Sequence, residues 1–287
     1  MPEYIKQNVQ WFPGHMAKTR RLIKESLSLV DGVVELVDAR IPYSSRNPEL
    51  DSIIEKKPRI VLLNKCDVAD PAATSLWIKY FQDKGCYAIA VDCRTGKGLN
   101  KFDSVVKQAL KATIERNEKK GMSGKPLRLM VVGIPNTGKS SFINRMGKNA
   151  KAKVADKAGV TRQNQWFVVG NGIELLDTPG VLWPKFDDPE VGDKLAFIGS
   201  VKDEITDKET LACRLLEVLA KTRPQAIEER YKLDSVADLQ GWEILEMIGR
   251  KRGFLIKGGE IDYERAAVIV ADEFRGGKLG RITLELP

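Results

Sequence analysis

The chain of 287 residues is 43% hydrophobic and 30% charged, the composition of an ordinary globular protein, long enough for one large domain or two modest ones. It has no apolar run of about 18 residues, which excludes a spanning helix, and its four cysteines form no CxxC pair beside the single histidine, which argues against zinc. The net charge of +8 is uneven: residues 184–287 hold 17 Lys and Arg against 21 Asp and Glu, so the whole positive surplus lies in residues 1–183, as in a body that meets a polyanion such as RNA.

The opening MPEYIKQNVQWFPG has neither the apolar core of a signal peptide nor the Arg/Ser-rich pattern of a transit peptide. The expected location is therefore cytoplasmic, with free thiols. A helix is predicted over 16–30. Near-continuous apolar runs then predict strands at 33–39 (VVELVDA), 59–64 (RIVLLN), 87–92 (YAIAVD), 127–133 (LRLMVVG), 165–169 (QWFVV) and 173–177 (IELLD). Such runs suit strands buried on both faces. Helical patterns at 72–84, 99–119 and 140–146 separate them, with a charged, glycine-containing connector at 116–125. The alternation predicts an α/β, doubly wound sheet. Beyond residue 183 the periodicity turns helical, at 207–221, 224–231, 241–250 and 263–275. The expected division is an α/β domain over 1–183 and a smaller all-α domain over 184–287.

The strongest chemical signal is GIPNTGKS at 133–140, after one predicted strand and opening a helix. Loops of this kind wrap backbone N–H groups around phosphates. Asn136, Thr137, Gly138, Lys139, Ser140 and Ser141 are the expected phosphate-binding residues. Lys139 reaches the β- and γ-oxygens and the Ser140 hydroxyl ligates Mg2+. DTPG at 177–180 ends another strand. There Asp177 is placed to hold Mg2+ through water and the Gly180 amide to sense a γ-phosphate. Thr161, in AGVTR, is the expected second Mg2+ ligand from a switch loop, with a helix-capping threonine as the alternative.

Base choice is assigned to NKCD, Asn64, Lys65, Cys66 and Asp67, at another strand end. Asp67 can accept from guanine's ring N–H and exocyclic amine together, a pair adenine lacks. Rejection follows because the wrong base leaves a buried carboxylate unpaired. DCRTG at 92–96 occupies the place of a second base loop, through Asp92 and chiefly the Cys93 backbone. The expected nucleotide is therefore GTP or GDP, and the expected reaction is GTP plus water to GDP plus phosphate.

The order NKCD, DCRTG, GIPNTGKS, GVTR, DTPG resembles the translation-factor class of P-loop GTPases, but circularly permuted. With WFPGHMAK at 11–18 and VDARIPYSSRNP at 37–48, the chain resembles the YlqF-type ribosome biogenesis GTPases over essentially its whole length. The resemblance implies an assembly factor for the large ribosomal subunit. Its GTP hydrolysis is stimulated by the particle and triggers release, and its helical domain docks on rRNA. It also implies a potassium ion at Asn136, against the alternative that Asn136 only shapes the loop. A monomer with no membrane partner is expected. The other readings are a GTPase acting on another RNA or a stress pathway, and a scaffold whose hydrolysis is vestigial.

Many GTPases place a glutamine after DxxG to orient water; here that position is Val181. His15 can donate and accept near neutral pH, and the resemblance assigns it the water-orienting role. Packing or capping beside Trp11 and Phe12 is the alternative, and Gln163, Asn164 and Gln165 are its competitors. Because DTPG is the last element of the α/β domain, a movement of Gly180 is expected to pass directly into the helical domain.

Overall fold

The computed structural model describes residues 16–54, 57–147, 165–180, 188–201 and 207–287. Of these, 16–180 together with Thr283–Pro287 form one compact unit and 188–282 a second. Among the described residues no helix is long and apolar enough to cross a membrane.

Among the described residues the first unit is built on six strands: β1 (Gly32–Asp38), β2 (Arg59–Asn64), β3 (Tyr87–Ala90), β4 (Leu127–Val132), β5 (Gln165–Gly170) and β6 (Ile173–Asp177). Their order is β3-β2-β1-β4-β6-β5. All neighbours are parallel except β5, which runs antiparallel to β6 at the edge. The chain builds outward from β1 to β3, then returns to the other side of β1 as β4. That reversal between β1 and β4 is the switch point where loops from opposite directions diverge and leave a crevice.

Burial explains the sequence pattern. Every residue of β1 is buried, as a strand needs when parallel neighbours and helices enclose it. On one face Val34, Leu36, Leu129 and Val131 pack with Phe102 and Phe142, whose rings meet edge to face at 5.1 Å. On the other, Val33 and Met130 pack with Ile23 of α1 (Met16–Leu27), and Val37, Val61 and Leu63 with Trp77 and Phe81 of α3 (Pro71–Asp83). Edge strand β5 alternates instead, with Phe167 and Val169 buried and Trp166 and Val168 exposed. Arg128 lies over the Trp166 ring at 5.2 Å.

Three local departures from expectation have physical causes. A short α2 (Glu49–Ile54) forms because Leu50 and Ile54 find the core. The stretch 99–119 is a 3-10 turn (Leu99–Lys101), α4 (Phe102–Ala109) and α5 (Lys111–Lys119), broken where buried Leu110 packs towards Gly32; a Cβ added there would sit 3.2 Å from the Leu110 side chain. Strand β3 stops at Ala90, because Asp92 pairs instead with Lys97 in a small bridge. α6 (Lys139–Met146) follows β4.

The second unit contains α7 (Pro189–Phe197), α8 (Lys208–Thr222), α9 (Pro224–Tyr231), α10 (Gly241–Arg252) and α11 (Tyr263–Arg275). α7 had no counterpart in the sequence pattern. Asp188, Asp207 and Asp262 cap three of these helices, and Gln240 with Glu243 forms a capping box. Gly241 lets α10 meet α8 closely, since a Cβ there would lie 2.1 Å from the Cys213 carbonyl oxygen. Leu215, Leu216, Leu219, Ile244, Ile248, Ala266, Val270 and Phe274 are buried between the helices. Residues 283–287 were assigned to the helical part on sequence; they pack with the sheet unit instead.

Candidate nucleotide site

Residues 133–138 link the carboxyl end of β4 to the first turn of α6. Gly133 has φ 150° and an added Cβ would stand 2.6 Å from the Leu36 carbonyl oxygen; Gly138 has φ 96° and its Cβ would stand 2.3 Å from Asn64 Nδ2. Both positions therefore require glycine. Asn136 takes the left-handed conformation at φ 61°. Thr137 Oγ1 donates to the Ile134 carbonyl at 2.9 Å. The Lys139 ammonium is buried and donates to the carbonyls of Gly133 (3.0 Å) and Ile134 (2.9 Å). Burial lowers its pKa to about 8 against the opposing pull of Asp177. An amine held this way inside a loop of backbone amides is poised to exchange carbonyl partners for phosphate oxygens.

Strand β6 delivers Asp177, buried at its carboxyl end. Thr178 Oγ1 donates to the Val131 carbonyl at 2.6 Å, tying the start of DTPG to β4. Gly180 lies against the phosphate loop: an added Cβ would be 3.0 Å from both Lys139 Nζ and Pro135 N. Ser140 and Ser141 are half-buried in the first turn of α6. The Ser140 hydroxyl and the Asp177 carboxylate are hard oxygen donors that fit Mg2+, which takes few protein ligands and completes its shell with phosphate and water. Among the described residues no group of three His, Cys, Asp or Glu side chains could hold a metal, so protein carboxylates alone do not build this site.

The NKCD segment meets the glycine loop through Asn64. Its Nδ2 donates to the Thr137 carbonyl at 2.7 Å and its Oδ1 accepts from the Cys93 amide at 3.0 Å. One buried amide thus joins the loops after β2, β3 and β4. Lys65 follows in the left-handed conformation, φ 61°, with its amine 3.1 Å from Asp38 Oδ2. Asp38 is fully buried at the end of β1 and also binds Arg40, through Nε (2.9 Å) and an Nη (2.8 Å). Burial would raise the Asp38 pKa, but Arg40 and Lys65 hold its carboxyl far below the usual range. Asp67 is partly exposed and 3.3 Å from the Arg94 guanidinium.

The DCRTG turn is held by its own residues. Asp92 spends its carboxylate on its own turn, accepting from the Arg94 amide (2.9 Å) and Thr95 Oγ1 (2.6 Å). Burial pushes its pKa up, but those bonds outweigh it and the net shift is down. The Cys93 amide goes to Asn64, and the buried Cys93 thiol is pushed up by desolvation, so it is no nucleophile. Asp38 and Arg40 were quoted on sequence only as part of a resembling segment. An acid at a strand's carboxyl end with an arginine two residues on was the available signal. His15 and Thr161 lie outside the described residues, as do Trp11, Phe12, Gln163, Asn164 and Val181. Gln165 opens β5 and is exposed.

The glycine loop with Lys139, the strand end carrying Asp177 and Gly180, and the NKCD segment lie at the carboxyl ends of β4, β6 and β2, the layout of a P-loop GTPase in which NKCD precedes the glycine loop in the chain. Residues 128–241 match the 50S ribosome-binding GTPase family, a span that opens at β4. A Priestia megaterium protein named ribosome biogenesis GTPase A is 48% identical over 97% of this chain and 97% of its own length. One of the same name from Thermotoga maritima is 34% identical over 97% and 95%. The solved GNP-bound YlqF from T. maritima superposes with TM-score 0.65 at 32% identity, over 94% of this chain and 98% of that one. The chain belongs to the ribosome biogenesis GTPase A family, and it is a circularly permuted GTPase.

Proposed function

We propose that this GTPase is an assembly factor of the large ribosomal subunit that docks on rRNA in its GTP state and leaves after particle-stimulated hydrolysis. The names borne by its relatives support the ribosomal assignment. The observation that carries nucleotide choice is the Asn64 bridge, which sets the base-reading segment beside Thr137 of the phosphate loop. From there the roles follow. Backbone amides of 136–141 and the Lys139 ammonium bind the β- and γ-phosphates. Asp67 accepts from the two guanine N–H groups, and Gly180 senses the γ-phosphate.

Mg2+, bound through Ser140, Asp177 and Thr161, would neutralise charge between the β- and γ-phosphates. His15 orients the attacking water on the particle, and K+ held at Asn136 would supply the charge of an arginine finger. The helical unit, acting within a monomer, docks on rRNA and receives the movement of Gly180 through the covalent link beyond it.

Asp67→Asn tests the base reading: guanine nucleotide affinity should fall and xanthine nucleotide affinity rise, and an unchanged preference refutes it. Sedimentation with ribosomal subunits tests the partner. Binding to the large subunit should be stronger with a GTP analogue than with GDP, and equal binding in both removes the switch. His15→Ala should slow single-turnover hydrolysis on saturating subunits; an unchanged rate removes His15 from the mechanism.

A further inference from the structure

Residues 39–45 and 283–287 have no part in the reaction as described, yet they are fastened to each other and to both flanks of the base-reading segment. Thr283 Oγ1 accepts from the Asp70 amide at 3.1 Å and donates to the Ala39 carbonyl at 3.2 Å. The Leu284 amide donates to the Arg40 carbonyl at 2.8 Å. One Glu285 carboxylate oxygen accepts from the amides of Tyr43 and Ser44, the latter at 2.8 Å, and the other from Ser44 Oγ at 2.7 Å. The Glu285 carbonyl accepts from the Trp77 indole N–H at 3.0 Å. Bonds to a carboxylate from several donors are strong and directional, so this is a fixed strap.

The two segments it grips lead to the same place. Arg40 is locked to buried Asp38, and Asp38 holds the Lys65 amine. Asp70 ends the loop that carries Asp67 and caps α3 through the amides of Ala72 and Ala73. Lys65 sits in a backbone conformation that side-chain-bearing residues adopt only when their surroundings impose it. The strap supports both flanks: Lys65 through Arg40 and Asp38, and Asp67 through Asp70.

We infer that Thr283, Leu284 and Glu285 are positioning residues for guanine recognition, clamping the Lys65–Asp67 segment in its base-reading geometry from the far end of the chain. The inference rests on the reading of Asn64–Asp67 as the guanine-binding segment. It has a consequence for control. The helical unit is joined covalently to the phosphate end of the site beyond Gly180, and to the base end at Ile282–Thr283. A partner that draws residues 283–285 off the sheet unit speeds nucleotide release, and bound nucleotide holds the strap in place by the same coupling.

The test compares the full chain with Glu285→Ala and Thr283→Val, reading dissociation of fluorescent GDP, of a fluorescent GTP analogue and of fluorescent IDP. Glu285→Ala should speed release of GDP and of the GTP analogue by one common factor, about tenfold, the scale of an ordinary coupling between two sites. It should also narrow the preference for GDP over IDP, which lacks the exocyclic amine that Asp67 reads. Thr283→Val should act the same way and more weakly, and Glu285→Gln, which keeps an acceptor, should fall between wild type and Glu285→Ala. Wild-type release rates in both folded variants overturn the inference, as does a loss confined to the GTP analogue. Should Glu285→Ala fail to fold, hydrogen exchange of the wild-type Leu284 amide decides: GDP should slow it, and an unchanged rate overturns the inference. Asp67→Asn separates the two readings. If it switches the base to xanthine while the strap variants do nothing, only the strap inference falls.

Discussion

The phosphate end and the base end of this site are built on opposite plans. Within the phosphate loop the partners are neighbours in sequence: Lys139 bonds to carbonyls five and six residues back, and Thr137 to one three residues back. At the base end Asn64 reaches 29 residues to Cys93 and 73 to Thr137, while Ser44 reaches 241 to Glu285. A local loop can be altered without unfolding the unit around it. A junction of distant segments cannot lose a member without loosening several loops at once.

The largest effect expected from that contrast is at Lys139. Lys139→Ala removes two charge-assisted bonds to phosphate, about 3–4 kcal/mol. GDP and GTP affinity in a fluorescence titration should fall several-hundred-fold by that estimate, while the thermal midpoint of the free protein falls less than in Asn64→Ala, because the Gly133 and Ile134 carbonyls lose a donor but a buried ammonium is removed with it. Asn64→Ala should instead reduce both affinity and stability. It leaves the Thr137 carbonyl and the Cys93 amide without their buried partner, at about 2–3 kcal/mol, visible in chemical denaturation without nucleotide. A midpoint unchanged in Asn64→Ala would erase the contrast.

pH sharpens it further. In the free protein burial holds the Lys139 pKa near about 8, and bound phosphate raises it. Binding above that pH therefore takes up a proton, and GDP affinity falls as pH rises, by at most about tenfold per unit. Calorimetry in buffers of different ionisation enthalpy should show the uptake at pH 9 and its loss in Lys139→Ala. The smallest effect belongs to Arg94, whose pairing with Asp67 is largely exposed. Arg94→Ala should change stability by no more than about 0.5 kcal/mol. Its neutrality beside a damaging Asn64→Ala would show that buried bridging, rather than nearby charge, organises the base end.

The same contrast explains what could be read from the sequence. GIPNTGKS was legible because backbone geometry, glycines and lysine lie in eight consecutive residues. Strand positions were legible because enclosure demands continuous apolar runs, and all six appear in the sheet. The NKCD segment was legible as a motif, but its anchorage was not. No local pattern tells Asp38 that it will hold Lys65, or Glu285 that it will cap the amides of Tyr43 and Ser44. Asp92 shows the same limit: the DCRTG pattern does not reveal that a threonine three residues on holds its carboxylate in a turn. The break at Leu110 escaped for a similar reason, since an unbroken helical pattern does not reveal where one leucine must turn inward.

The order β3-β2-β1-β4-β6-β5 also shapes how the molecule comes into being. The central seam pairs Gly32–Glu35 with Leu129–Val132, so the two halves of the sheet join across a loop of almost a hundred residues. Closing such a loop precedes any reward from the contacts it makes, which slows the step. During synthesis the three base-side strands are laid down before any phosphate-binding residue exists. A nascent chain therefore waits, half a sheet with one edge open, for the strand that will complete it.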